Sequence, residues 1–186
     1  MGNIVLTFGV SIDGYFEGPN REIDWHLVDD EFHFYVNGVL RDYGAFLSGR
    51  ITHELMVDYW PTADRDPAAG APTVEFAEIW RDKPKFVYSK TLDHADWNTT
   101  IVRDVVPSEV RALKQRFDGD LALSGADLAR TFIELDLIDE YRLYMHPVVL
   151  GKGRPLFRPS DGQTSLRLVE TRTFGTGVVL LHYARG

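Results

Sequence analysis

The same local pattern occurs twice in this chain, at 47–54 and at 121–128. In each segment an apolar stretch leads to a glycine, Gly49 or Gly125, and then to a sequence that is amphipathic at helical spacing. The pattern predicts a buried strand, a tight turn and a helix. Because a helix N-terminus presents unpaired N–H groups and partial positive charge, each turn is a candidate phosphate site. Two such turns suggest a ligand with more than one phosphate, such as a dinucleotide.

The composition limits the classes of function. With 186 residues, of which 44% are hydrophobic and 26% charged, the chain matches one globular domain, assigned to residues 1–186. A net charge of −8 argues against a nucleic-acid surface, which requires clustered cations. The absence of cysteine excludes disulfides, thiolate zinc sites and cysteine nucleophiles. We see no apolar stretch of membrane-spanning length and no signal peptide, so we expect a cytoplasmic protein without membrane contact.

Hydrophobic periodicity predicts strands that alternate with helices. The predicted strands are 4–10, 45–48, 85–89, 100–102, 121–123, 140–147, 166–173 and 178–183. The predicted helices start at Asp29-Asp30, Thr52, Thr73, Ser108 and Asp127, and 61–72 is predicted to be a mobile loop. This alternation indicates a three-layer α/β domain. The last two strands, joined by Gly175-Thr176-Gly177, form a predicted β-hairpin that makes the sheet mixed.

Several residues at strand ends are suited to phosphate. Gly49 permits close approach of the backbone, Arg50 can pair with phosphate in a bidentate manner, and Thr52 can cap the helix or donate. The small residues of 124–126 leave room for a pyrophosphate. Ser89-Lys90 ends a strand with a hydroxyl and a cation, which suits a ribose phosphate. Each segment alone is equally consistent with an ordinary turn or a solvated side chain.

Asp13 follows the first strand, and ligands of open α/β sheets gather beyond the carboxyl ends of strands. Its carboxylate can orient a substrate or hold a proton, although an Asp before Gly also commonly makes a turn contact. Aromatic side chains near the loops can stack on a flat ring. The remaining substrate-side candidates are Tyr15, Trp25, His26, Glu54 and Trp60. The acidic run 29–31 with His33 has no recognised metal-ligand spacing, so no metal site is predicted.

Taken in order, these segments resemble the dihydrofolate reductase-like superfamily. The chain is most similar to the branch that holds the reductase domain of the bifunctional riboflavin-biosynthesis deaminase-reductase and its stand-alone bacterial relatives. The segments that carry the resemblance are Ser11-Ile12-Asp13-Gly14-Tyr15, Gly49-Arg50-Ile51-Thr52-His53-Glu54, 85–92, 124–128, 137–140 and 147–157. Each segment is modest alone, but their order and spacing cover nearly the whole chain.

The resemblance implies a three-layer α/β/α fold with a mixed sheet of about eight strands, a homodimer, and NADPH as cofactor. It implies phosphate contacts from Gly49, Arg50 and Thr52, and 2′-phosphate contacts from Ser89 and Lys90. It implies a pyrophosphate turn formed by Ser124, Gly125, Ala126 and Leu128, with Asp13 facing the substrate. The implied activity is hydride transfer to a C=N or C=O bond of a small heterocyclic or ribosylamino-pyrimidine-like substrate, as in 5-amino-6-(5-phosphoribosylamino)uracil reductases.

Two alternatives stay open at this point. The chain can be a dimeric nucleotide-binding protein without turnover, or a true dihydrofolate reductase. The second alternative is disfavoured because no carboxylate within 29–31 clearly matches the one by which dihydrofolate reductase grips the pteridine. The family pattern also has a pair of glycines where this chain has Ser124-Gly125.

Overall fold

The computed structural model describes residues 1–158 and 163–186. The strands of this part of the chain are β1 (Ile4–Ser11), β2 (Tyr15–Glu17), β3 (Ala45–Gly49), β4 (Lys85–Tyr88), β5 (Thr99–Val102), β6 (Leu121–Ser124), β7 (Glu140–His146), β8 (Arg154–Pro155), β9 (Leu166–Thr173) and β10 (Val179–Arg185). The α-helices are α1 (Asp30–Asp42), α2 (Arg50–Tyr59), α3 (Ala71–Asp82), α4 (Pro107–Arg116) and α5 (Ala126–Glu134).

Eight strands form one sheet in the order β5-β4-β3-β6-β1-β7-β10-β9. The six strands from β5 to β7 run parallel, and β10 is antiparallel to both of its neighbours. β9 and β10 make the predicted hairpin across Gly175-Thr176-Gly177, and β2 pairs with β8 in a small separate ribbon that the sequence did not predict. The predicted mixed sheet of about eight strands is therefore confirmed.

Side chains that alternate along the central strands divide the core into two layers. Ile4 and Leu6 of β1 pack with residues of α4 and α5, including Phe132. Val5, between them, faces the opposite side and packs with Ala122 of β6 and with the C-terminal half of α1. This period of two places helices on both faces of the sheet, which gives the predicted three layers.

The predicted starts of four helices, α2 to α5, are wrong by one or two residues. α2 begins at Arg50 with Gly49 as its N-cap, so Thr52 lies within the helix and does not cap it. Ser108 does not cap α4, because Pro107 already occupies the first turn of the helix, where its missing N–H costs nothing, and Val106 is the N-cap. The predicted mobile loop at 61–72 contains a 3-10 helix (Trp60–Arg65), and α3 begins at Ala71. Arg81 of α3 holds the 3-10 helix by an ion pair with Asp64 at 2.8 Å.

The predicted start of α1 is confirmed, since the Asp29 side chain accepts a hydrogen bond from the Phe32 N–H at 2.9 Å. No helix within 1–158 or 163–186 combines the length and the apolar character that crossing a membrane requires.

Replacing Phe132 by Ala tests the core beneath the sheet. Phe132 is 0% exposed, so Phe132→Ala leaves a cavity and lowers the free energy of unfolding by about 3–5 kcal/mol. Phe34→Ala is the matched control, because Phe34 is also helical but 44% exposed, and it changes stability by less than about 0.5 kcal/mol. Urea unfolding followed by circular dichroism measures both. Equal losses in the two variants contradict this core.

Candidate functional site

The helices that follow two neighbouring strands leave the sheet toward opposite faces. β3 and β6 are parallel neighbours with Ser48 beside Ser124. α2, after β3, lies on the face of Phe46 and Ala122, where its His53 and Met56 line a cavity with those residues. α5, after β6, packs on the other face through Leu128 and Phe132. Because the two helices diverge, a crevice is left at the carboxyl ends of β3 and β6. Open α/β sheets bind their ligands in crevices of this kind.

Two turns meet in this crevice, at 49–52 and 124–126; we call them the paired turns. Gly125 has a φ of +90°, and a Cβ atom built there would lie 2.9 Å from Thr52 Oγ1 and 3.3 Å from the Gly49 nitrogen. Neither Gly49 nor Gly125 caps its helix with a side chain, so the N–H groups of α2 and α5 stay available. Sequence segments more than seventy residues apart thus form one surface suited to an anion.

The cations near the paired turns are exposed and paired with acids. Arg50 makes an i,i+4 ion pair with Glu54 at 2.9 Å, and Lys90 lies 3.1 Å from Asp104. Ser89 lies at the end of β4, beside the Gly49 end of β3, and its hydroxyl accepts hydrogen bonds from the N–H groups of Thr91 and Leu92. Exposed pairs of this kind are weak, so a phosphate can displace the carboxylate partners.

Two residues in the first turn of α5, Asp127 and Leu128, differ in their surroundings. Leu128 is 8% exposed and belongs to the core cluster, so its side chain supports the turn from beneath and only its backbone can face a ligand. Asp127, in the first turn of α5, points away and pairs with Arg154 at 2.9 Å. Arg154 also pairs with Glu17 of β2 at 2.8 Å, so it ties the β2–β8 ribbon to the start of α5.

Asp13 is exposed and accepts hydrogen bonds from the Ser11 hydroxyl and from the backbone N–H groups of Leu150 and Gly151. Desolvation alone would raise the pKa of Asp13, but these hydrogen bonds outweigh it and hold the pKa below its usual value. A carboxyl with a lowered pKa is deprotonated at neutral pH. The geometry therefore favours orientation by Asp13 over proton delivery.

The β-sheet register also separates Asp13 from the paired turns. Leu6 pairs with Leu123, so Thr7 is level with Ser124. Ser11 lies four residues further along β1, which is about 13 Å at the usual strand rise. Thr7, which the sequence analysis did not select, is therefore the β1 residue beside the turns. Tyr15 lies close to Asp13, since its N–H donates to the Ser11 hydroxyl at 2.9 Å.

Trp25 and His26 form an aromatic cluster with His146 at the end of β7. The rings of His26 and His146 stack with centroids 4.6 Å apart, and the Leu27 N–H donates to His146 Nδ1 at 3.1 Å. Burial lowers the pKa of His26, and burial together with His26 lowers the pKa of His146 to about 4. Gly9 lies beneath both rings, since a Cβ there would approach each within 3.2 Å. The cluster therefore packs over the C-terminal ends of β1 and β7.

The last two predicted substrate residues lie on the side of α1, α2 and α3. Trp60 packs edge-on against Phe76 with centroids 4.4 Å apart and near His33 at 6.1 Å. Glu54 lies on the surface of α2 as the partner of Arg50. The structure thus does not bring Trp60, Glu54, Trp25 and Asp13 into one contact group.

An apolar cavity of about 180 Å³ opens beneath the paired turns on the α2 face. Its walls are Thr7, Leu40, Phe46, Ser48, Thr52, His53, Met56, Phe76, Trp80, Lys85, Ala122 and Ser124. Sequence reasoning missed the cavity because its polar side chains come from five separate elements, β1, β3, α2, β4 and β6. A larger cavity of about 360 Å³, between α5 and the β2–β8 ribbon, shares only the start of α5 with the turns, so it is not assigned to this site. Among the described residues there is no cluster of acids and histidines able to hold a metal.

Comparison with known proteins decides the family. The model of the RibD C-terminal domain matches residues 3–180. The chain belongs to that family. Within Bacillus subtilis, the uncharacterized protein YyaP is 38% identical over 184 residues, covering 97% of this chain and 93% of its own, and the uncharacterized protein YwjB is 31% identical with 97% coverage of both. The resemblance found in the sequence is confirmed.

Solved structures of low sequence identity show the same fold. A protein from Shewanella sp. PV-4 that is named for riboflavin biosynthesis superimposes with a TM-score of 0.74 at 23% identity, covering 100% of this chain and 99% of its own. Dihydrofolate reductase from Enterococcus faecalis, solved with NADP(H), gives 0.65 at 14% identity, with 100% and 97% covered. The deaminase and 5-amino-6-(5-phosphoribosylamino)uracil reductase of Thermotoga maritima gives 0.67 at 16%, and this chain spans 57% of it.

The buried His146 predicts a dependence of stability on pH. The pKa of His146 is about 4 in the folded protein but about 6.5 in an unfolded chain. Between these two pH values the imidazole is protonated in the unfolded state and neutral in the folded state, which favours unfolding. This linkage lowers the free energy of unfolding by about 2 kcal/mol between pH 7 and pH 5. His146→Asn can keep the acceptor for Leu27 and removes the titration, so its stability falls less steeply over that range.

Urea unfolding at several pH values measures this slope. His94→Asn is the control, because the side chain of His94 is 82% exposed, and it leaves the slope as in the unmodified protein. An unchanged slope in His146→Asn contradicts the burial of a neutral imidazole at this position.

Proposed function

We propose that this chain is an NADPH-dependent reductase. It transfers a hydride to a C=N or C=O bond of a small heterocyclic substrate, of the 5-amino-6-(5-phosphoribosylamino)uracil reductase type. The observation that carries the proposal is the meeting of two uncapped helix N-termini at Gly49 and Gly125 beside an apolar cavity. Membership of the RibD C-terminal domain family supports the class of reaction.

The residues present fit a dinucleotide phosphate. The space that a Cβ at Gly125 would fill lets a pyrophosphate approach the backbone N–H groups of both turns. Arg50 is on the rim of this space and can form a bidentate pair with a phosphate oxygen. Ser89 and Lys90 follow β4, the strand beside β3, and in this proposal they contact the ribose 2′-phosphate that distinguishes NADPH from NADH.

Each group of this chain then has a separate task. NADPH supplies the hydride when it is bound. The paired turns hold the anionic part, and the cavity lined by Thr7, Thr52 and Trp80 excludes water from a flat ring. Asp13 accepts hydrogen bonds from the loop at 150–151 and so fixes the position of that loop on the substrate side of the crevice. The aromatic residues Tyr15, Trp25, His26 and Trp60, together with Glu54, border the entrance.

A homodimer in the cytoplasm is part of the same proposal. β9 is an edge strand of the sheet, and its Leu166, Leu168 and Val169 are 39%, 51% and 48% exposed. An exposed apolar edge of this kind is a surface that proteins commonly cover by association.

A nucleotide-binding protein without turnover is the second candidate. It is favoured by the hydrogen bonds that commit Asp13 to the loop at 150–151 and keep it from acting as an acid. Dihydrofolate reductase activity is not supported, since Asp29 caps α1 and Glu31 bonds the Gly175 N–H at 3.1 Å. Oxidation of NADPH in the presence of pyrimidine and pterin substrates, followed by absorbance, separates turnover from binding alone.

Removing Arg50 tests the cofactor site. Arg50→Ala removes a charge-assisted contact with phosphate and raises the Kd for NADPH about 10-fold, measured by quenching of tryptophan fluorescence. Arg130→Ala is the matched control, because Arg130 makes an equivalent exposed i,i+4 pair, with Glu134 at 2.8 Å, away from the paired turns. It leaves the Kd unchanged. The proposed site is contradicted if both variants bind NADPH as the unmodified protein does.

A further inference from the structure

The half of the sheet that β7, β10 and β9 form has two different faces. On the side of α1, Tyr144 and Leu180 are buried and pack with Phe32. The residues that alternate with them along the strands point to the other side, where they are half-buried or exposed. We call this other side the open face; it comprises Leu143, Met145, Leu168, Val179, Leu181 and Tyr183.

The charged side chains of these strands lie mainly on the side that α1 covers. Arg142 of β7 donates to His182 of β10 at 3.1 Å and lies 3.5 Å from Glu170 of β9. Arg172 of β9 pairs with Glu31 of α1 at 3.5 Å. The six residues of the open face carry no charge. This distribution is the reverse of the usual one, in which the sheet face toward water carries the polar residues.

A β-bulge in β9 affects how this half of the sheet can associate. Glu170 of β9 pairs with His182 of β10. The next pair is Leu168 with Tyr183, so β9 has one extra residue, Val169. A bulge twists an edge strand and interrupts its regular hydrogen-bonding pattern, which opposes pairing with the edge of another sheet. The structure therefore favours association through the face of the sheet over association through its edge.

We propose that a second copy of this chain covers the open face, so that two sheets pack face to face. The uncharged side chains of two identical faces can interdigitate about a two-fold axis, as in other packed pairs of sheets. Each copy has a net charge of −8, so two copies repel each other over most of their surfaces. On the open face they meet without bringing like charges together. The inference rests on the proposed function for the homodimer and names the face that forms it.

Sedimentation equilibrium of the full chain without NADPH measures this association, and we expect a dimer with a Kd in the micromolar range or below. Leu181→Lys tests the face itself, because β10 lies one strand in from the edge and takes no part in edge pairing. A two-fold axis brings two added ammonium groups into one uncharged interface. The Kd therefore rises at least about 100-fold.

Two further variants complete the test. Leu168→Lys adds the same charge where the side chain is already 51% exposed, so it weakens the dimer and keeps the fold. Leu55→Lys is the matched control, because Leu55 is 66% exposed on α2, away from the open face, and it leaves the Kd unchanged. Circular dichroism and urea unfolding show whether each variant folds.

Three results overturn the inference. The first is an unmodified chain that stays monomeric at millimolar concentration. The second is a dimer that persists unweakened in Leu168→Lys, whether or not Leu181→Lys folds, or in a folded Leu181→Lys. The third is an equal weakening of the dimer by Leu55→Lys.

The outcomes separate this inference from the proposed reductase. A chain that binds NADPH but stays monomeric keeps its cofactor site and loses the dimer through the open face. A chain that associates through the open face but binds no NADPH keeps the dimer and is not the proposed reductase.

Discussion

The parallel pairing of β3 with β6 is the constraint on which the rest of the site depends. It places Ser48 beside Ser124, so the strands end together, and their helices diverge to opposite faces of the sheet. Only a residue without a Cβ fits at Gly125, where the backbone has a positive φ and Thr52 lies against it. Because the two helix N-termini then share one crevice, their N–H groups can act on the same anion.

This arrangement also gives a chain with a net charge of −8 a local means of holding the anionic cofactor that we propose. The attraction comes from fixed backbone dipoles at short range rather than from the overall charge. Arg50 and Lys90 can exchange their exposed carboxylate partners, Glu54 and Asp104, for a phosphate of the ligand. The exchange costs little free energy because exposed ion pairs are weak in water. The cavity below has mostly apolar walls, so it differs sharply from the backbone N–H groups of the paired turns above it.

Local pattern was enough to predict the eight strands of the main sheet, most helices and the two turns, because a glycine between an apolar strand and an amphipathic helix is a short-range signal. The order of the strands was not predicted, since periodicity does not specify which strands pair; the family resemblance implied only a mixed sheet of about eight strands. The partners of Asp13 could not be predicted, because the Leu150 and Gly151 N–H groups lie 137 and 138 residues away. His53 and Lys85 were missed for a related reason: burial of a polar residue at a strand start or in a helix depends on tertiary packing.

Calorimetric titration of NADPH into the protein, in parallel with Gly125→Ala, tests the shared crevice most directly. The account predicts saturable heat with the unmodified protein and its loss in Gly125→Ala, because the added methyl group occupies the space between the two turns while the variant keeps its circular dichroism spectrum. Absence of heat with either NADPH or NADH up to millimolar concentration, or equal heat in the variant, contradicts the claim that the two turns bind one coenzyme.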